Sequence, residues 1–104
     1  MGAVELLEQV KRKLNITWDD DGTYARLHDI IDSGKAVMSH KLGVAADFDF
    51  SKPGQDNALF LAWCLYEWNH ATGEFDDAYS NDMMQARSRH LVEAMREEEA
   101  GDGV

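Results

Sequence analysis

The stretch QDNALFLAWCLYEWNHATG, residues 55–73, decides how this chain is read. From Ala58 to Tyr66 it is unbroken apolar sequence containing Phe60, Trp63 and Tyr66, and Trp68 follows just beyond. A membrane span takes roughly 20 apolar residues, so the run is too short to cross a bilayer. Leu and Ala dominate it, and Val, Ile and Thr are absent, which favours a helix over a buried strand. Pro53-Gly54 and Thr72-Gly73 punctuate its two ends. The expectation is a buried helix of about 18 residues. A helix apolar on nearly every side has to be covered from several directions. Its own chain, or partly another, has to supply that cover.

Working outward, the flanking segments read as further helices. On the N-terminal side, Leu6, Leu7, Val10 and Leu14 recur at helical spacing, predicting a helix over Val4–Leu14. Thr17 followed by Asp20 resembles a helix start, with Asp19, Asp20 and Asp21 at the positive end of the helix that follows. That second helix is expected over Thr23–Leu42, with Tyr24, Leu27, Ile31 and Met38 as its stripe and Gly43 as its cap. Gly34 falls on the apolar face, where the missing side chain lets another helix approach. In Ala45–Gly54, Phe48 and Phe50 alternate with Asp47 and Asp49, as in a short extended loop with one apolar side. A fourth helix is expected from Asp76 to Glu97, turning Phe75, Tyr79, Met83, Ala86, Leu91 and Met95 inward. Residues 98–104 follow as an acidic, flexible tail. The expected fold is therefore all-α: a compact bundle of about four helices in a single domain over residues 1–97, with a short extended loop between helices 2 and 3.

Charge and chemistry narrow the function. The 104 residues carry a formal net charge of −10, with 10 Lys and Arg against 20 Asp and Glu. Surface binding to nucleic acid depends on neutralising phosphates, so this balance argues against it. The N-terminal segment is amphipathic, with Glu5 and Glu8 where a signal peptide is basic or apolar, and the expectation is a cytosolic product. Cys64 is the single cysteine, which excludes an internal disulfide, and it sits within the apolar run as a small hydrophobe. The aspartates at 19–21 and 47–49 lack the spacing of a calcium loop. Glu67 and His70 have the Glu-x-x-His spacing of di-iron bundles, but no second such motif exists in the chain. There is no phosphate loop and no nucleophile elbow. The reading taken forward is a non-enzymatic protein without catalytic, cofactor or metal residues. A metal enzyme centred on Glu67 and His70 is the outlying alternative.

The order of the helical blocks resembles a family, the phage head–tail connector proteins of tailed bacteriophages. The likeness starts with Leu6, Val10 and Leu14, then Asn15-Ile16-Thr17-Trp18-Asp19-Asp20, and continues through Leu27, Ile30-Ile31 and Gly34-Lys35. It resumes with Leu61 to Tyr66, Asn69, Glu74-Phe75, Tyr79 and Asp82, ending near Arg87. The strongly aromatic third helix and the Phe48–Phe50 loop depart from the family pattern. The resemblance implies a structural adaptor at the virion head–tail interface, made in the host bacterial cytoplasm. It implies a ring, commonly of about twelve copies, docked on the portal protein and meeting the next head-completion or tail protein. DNA would pass through its channel without specific binding, and no membrane is involved. The alternative is a small acidic regulatory binding protein, such as an antirepressor or nucleic-acid mimic. Phe48, Phe50, Trp63 and Trp68 are the candidate interface residues. For Trp63 and Trp68, core aromatic and interface anchor both remain open readings.

Overall fold

The computed structural model describes residues 2–102, and these form four helices: α1 (Gly2–Lys13), α2 (Asp21–Leu42), α3 (Gln55–Trp68) and α4 (Thr72–Asp102). No strand occurs among the described residues, and the fold is an all-α four-helix bundle. α3 lies at its centre and touches each of the other three helices. The cover that the apolar run demands thus comes largely from its own chain. Leu59, Phe60, Ala62, Trp63 and Cys64 are buried. Leu6 and Val10 from α1, Leu27, Ile31, Met38 and Leu42 from α2, and Phe75 and Ala86 from α4 complete the core.

Local chemistry sets the helix ends. Asp20 caps α2 by accepting the Thr23 backbone N–H at 3.0 Å, so the helix starts at Asp21 and not at Thr23 as the pattern suggests. α1, α2 and α3 all close with a left-handed residue: Asn15 at φ 59, Gly43 at φ 69 and His70 at φ 56. In each, the next amide reaches five residues back: Ile16 N to Lys11 O (2.9 Å), Val44 N to Ser39 O (3.0 Å) and Ala71 N to Tyr66 O (2.8 Å). This is the Schellman closure, which satisfies carbonyls the helix leaves unpaired. It also corrects the length expected for α3. That helix has 14 residues and ends at Trp68, because Asn69 turns its side-chain amide back to Leu65 O at 2.9 Å and His70 then takes the left-handed turn.

Two further boundaries differ from expectation. α4 begins at Thr72, well before Asp76, and its backbone leaves helical geometry once, at Tyr79 (φ −121, ψ 15). Phe75 therefore belongs to a short first segment, where its ring stacks on Tyr79 at 5.0 Å and meets Tyr66 edge-on at 5.7 Å. The acidic end expected as a tail from residue 98 stays helical through Asp102. Residues 103 and 104, the rest of that expected tail, lie outside the described residues.

Gly34 makes the close approach that its position predicts. A Cβ there would stand 3.0 Å from Phe60 Cε2 and 3.1 Å from Trp63 Cε3, so α2 and α3 meet more closely than most side chains tolerate. No helix is long and apolar enough to cross a membrane among the described residues.

Candidate interaction surface

The Phe48–Phe50 loop joins α2 and α3 without regular secondary structure at Phe48 and Asp49, and a polar strap ties it down. Asp49 accepts the Ser51 hydroxyl and the Ser51 backbone N–H (2.9 Å). Those bonds, the hydroxyl first, hold the Asp49 carboxyl below its usual range. Gln9 of α1 donates to Ser51 O at 2.8 Å. Asn57 of α3 donates to both Gln9 Oε1 and Phe50 O at 2.7 Å. Phe50 is consequently buried, stacked on Phe60 at 4.8 Å with Phe48 edge-on at 4.9 Å. Gln9 and Asn57 were not legible as a pair, because 48 residues separate them and each alone is an ordinary polar helix residue.

The four aromatic candidates are largely engaged within the chain. Phe50 and Trp63 are buried. Phe48 is half-buried and meets His90 edge-on at 5.4 Å. Trp68 is half-buried beneath the Arg26 guanidinium, 4.0 Å from its ring, and Arg26 also donates to Trp68 O at 2.6 Å. That arrangement closes the C-terminal end of α3 with a cation over its unpaired carbonyl. Glu67 and His70 border a cleft of about 160 Å³ beside Arg26 and Asp29. No group of three or more His, Cys, Asp or Glu positioned for a metal occurs among the described residues. Burial pushes the Cys64 thiol up to about 12, with the Glu67 charge adding to the shift.

A second polar cluster fixes α4 against the start of α3. Asp56 receives Arg89 Nη2 at 3.0 Å and faces His90 Nε2 at 3.0 Å, while Glu93 stands 3.8 Å from His90 Nδ1. With Phe48 and Lys52 these residues border a cleft of about 330 Å³. Acids and bases alternate around it, so the cluster acts as a clasp between helices and presents no single-signed field to a ligand.

The open apolar surface lies elsewhere, on α4. The inward stripe expected there holds only in its first part. Phe75 and Ala86 are buried and Tyr79 and Met83 half-buried, but Leu91 is 62% exposed and Met95 53%. They join Met84 and Val92, both exposed, on the far side of the helix. At about 100° per residue, the stripe Met84–Leu91–Met95 stands roughly 145° around from the one that packs. One helix thus carries two apolar faces, and superimposing them made Leu91 and Met95 look like a continuation of the core. Arg87 and Arg89 define the packed side. Arg87 Nη1 donates to His40 O (3.1 Å) and Lys41 O (3.2 Å), capping the end of α2. The inward positions of distal α4 are filled by these polar contacts, which leaves Leu91 and Met95 facing solvent.

Compared with known proteins, the chain matches no family, no curated protein and no solved structure.

Proposed function

We propose that this chain is a structural, non-enzymatic head–tail connector subunit that assembles into a ring on a phage portal, extends the DNA channel and joins capsid to tail. The observation carrying this reading is the open face of α4, where Met84, Leu91, Val92 and Met95 lie exposed on a helix whose opposite side is already packed. Large apolar side chains exposed along one helix mark an association surface. The shape is compatible: the molecule measures 53 × 32 × 18 Å, elongated and thin. Acidity also suits a channel lining. A net charge of −10 repels phosphate, so DNA slides past without adhering.

In this role the protein resides at the virion head–tail interface after synthesis in the bacterial cytoplasm, and it meets the portal on one side and the next adaptor or tail protein on the other. Mass spectrometry of purified virions tests the reading, together with electron microscopy of the protein mixed with portal. Stoichiometric virion incorporation and ring density beneath the portal are the expected results. Absence from virions, with recovery of a basic host partner instead, would overturn it in favour of an acidic regulatory protein.

A further inference from the structure

We infer that the side of α3 left open beside the end of α1 is a docking groove for an acidic peptide segment of another protein, one that also carries apolar side chains. The inference goes beyond the connector reading and stands or falls without it. Three helices reach α3, yet its cover is incomplete. Ala58 is exposed and Leu61 only half-buried, about one turn apart on the most apolar of the four helices. Two clefts lie over them. One, of about 420 Å³, is bordered by Gln9, Arg12 and Lys13 of α1 and by Asn57 and Leu61 of α3. The other, of about 300 Å³, passes over Ala58 and Ala62 to Tyr79 and Asp82 of α4. Lys13 borders both, so the two adjoin there.

Charge identifies the occupant. Several of the chain's cations are engaged internally. Lys11, Lys41 and Arg89 pair with Asp19, Asp76 and Asp56. Arg26 and Arg87 cap α3 and α2 by donating to Trp68 O and to His40 O and Lys41 O. Arg12 and Lys13 do neither. Both are exposed, and neither lies within ion-pair distance of a carboxylate among the described residues, Glu8 one turn before Arg12 included. Bases at a helix C-terminus ordinarily serve its dipole and its unpaired carbonyls. In α1 those carbonyls are already taken by backbone amides: Leu14 N to Val10 O (3.0 Å), Asn15 N to Arg12 O (3.2 Å) and Ile16 N to Lys11 O (2.9 Å). A protein of net charge −10 thus keeps two adjacent, unengaged cations on the rim of an apolar floor. The cations match carboxylates, and Ala58 and Leu61 match the apolar side chains between them.

The walls are set before a partner arrives. Asn57 donates to Gln9 Oε1 and to Phe50 O, each at 2.7 Å, which ties α1, α3 and the loop together at one end of the groove. Binding there costs little ordering of the protein. Asp82 on the α4 wall repels acids, so the carboxylates of the segment turn toward Arg12 and Lys13. Nucleic acid fits less well, because two cations neutralise few phosphates and the rest of the surface repels them.

Fluorescence anisotropy of the full chain with a fluorescein-labelled peptide of glutamates and leucines tests this at near-physiological salt. Saturable binding is expected, weakened at least about tenfold by Arg12→Gln combined with Lys13→Gln. Lys52→Gln combined with Arg96→Gln removes the same charge elsewhere and is expected to change affinity by less than about twofold. Ala58→Glu is expected to weaken binding at least about tenfold while leaving the denaturation midpoint in place, since residue 58 is exposed. A peptide with serine for every leucine is expected to bind at least about tenfold more weakly, having nothing for the floor to hold. No binding at about 1 mM peptide overturns the inference, as does an equal loss in the Lys52 and Arg96 variant. An oligothymidylate bound as tightly as the peptide would overturn the choice of occupant. Native oligomers that come apart on Arg12→Gln with Lys13→Gln would do the same, giving the groove to a second copy.

Discussion

α3 and the distal half of α4 are both rich in apolar side chains, yet they end in opposite environments. In α3, Leu59, Phe60, Ala62, Trp63 and Cys64 are buried, because α1, α2 and α4 all reach that helix. In α4 beyond Ala86, contacts with the bundle are made by Arg87, Arg89 and His90, and Leu91, Val92 and Met95 stay exposed. Apolar content alone does not say whether a segment serves folding or association. What decides is whether a neighbouring element of the same chain lies on that side. Side chains in the first region contribute to the stability of the monomer, whereas those in the second are available to a partner and add little until one arrives.

The contrast can be broken most sharply at Phe60. It is fully buried, stacked on Phe50 and close against Gly34, so Phe60→Ala is expected to cost about 3–5 kcal/mol. Chemical denaturation measures this, and a loss under about 1 kcal/mol would mean that α3 is not the core. Gly34→Ala comes next. Its new methyl would press on Phe60 and Trp63 at 3.0–3.1 Å, a clash only partly offset by better helix propensity, for a net loss of about 1–2 kcal/mol. A raised denaturation midpoint would show that α2 and α3 have room to separate.

Cys64 sharpens the same point through pH. Its thiol has a folded value of about 12 against an ordinary 9.0, because burial disfavours the thiolate. The neutral thiol's contribution is fully present below pH 9.0 and is lost as pH rises toward 12, at up to about 1.4 kcal/mol per pH unit. Cys64→Ala is expected to flatten the fall in stability between pH 9 and 10.5 relative to the native chain. Identical slopes in thermal melts would place the thiol in contact with water. The smallest effect belongs to distal α4. Leu91→Ala and Met95→Ala are expected to change monomer stability by no more than about 0.5 kcal/mol. A loss of 2 kcal/mol or more would mean that the stripe packs within its own chain after all.

Much of the architecture is carried by local sequence. The apolar run Ala58–Tyr66, the leucine spacing in α1, the cap at Gly43 and the glycine at 34 are each a short-range signal with one physical meaning. Four helices in that order follow from them, as does the central place of α3, since no other segment has so much apolar surface to bury. Helix ends were less legible: His70 takes a left-handed turn that a Gly would have announced, and α3 was therefore expected to be longer. The surface was least legible of all. Phe48, Phe50, Trp63 and Trp68 drew attention by size, but Gln9 and Asn57 pin the loop, Gly34 admits Trp63 and Arg26 covers Trp68. Each of those contacts joins residues far apart in the chain.

Periodicity fixes which residues of a helix share a face, and by itself it determined the number, order and type of the elements here. It assigns no neighbour to a face. For α4 the tertiary structure alone made that assignment, since the arginines that cap α2 and clasp Asp56 settle which side of the helix meets the bundle. Leu91 and Met95 are left exposed because, among the described residues, no further element of the chain reaches that side of distal α4 as three helices reach α3.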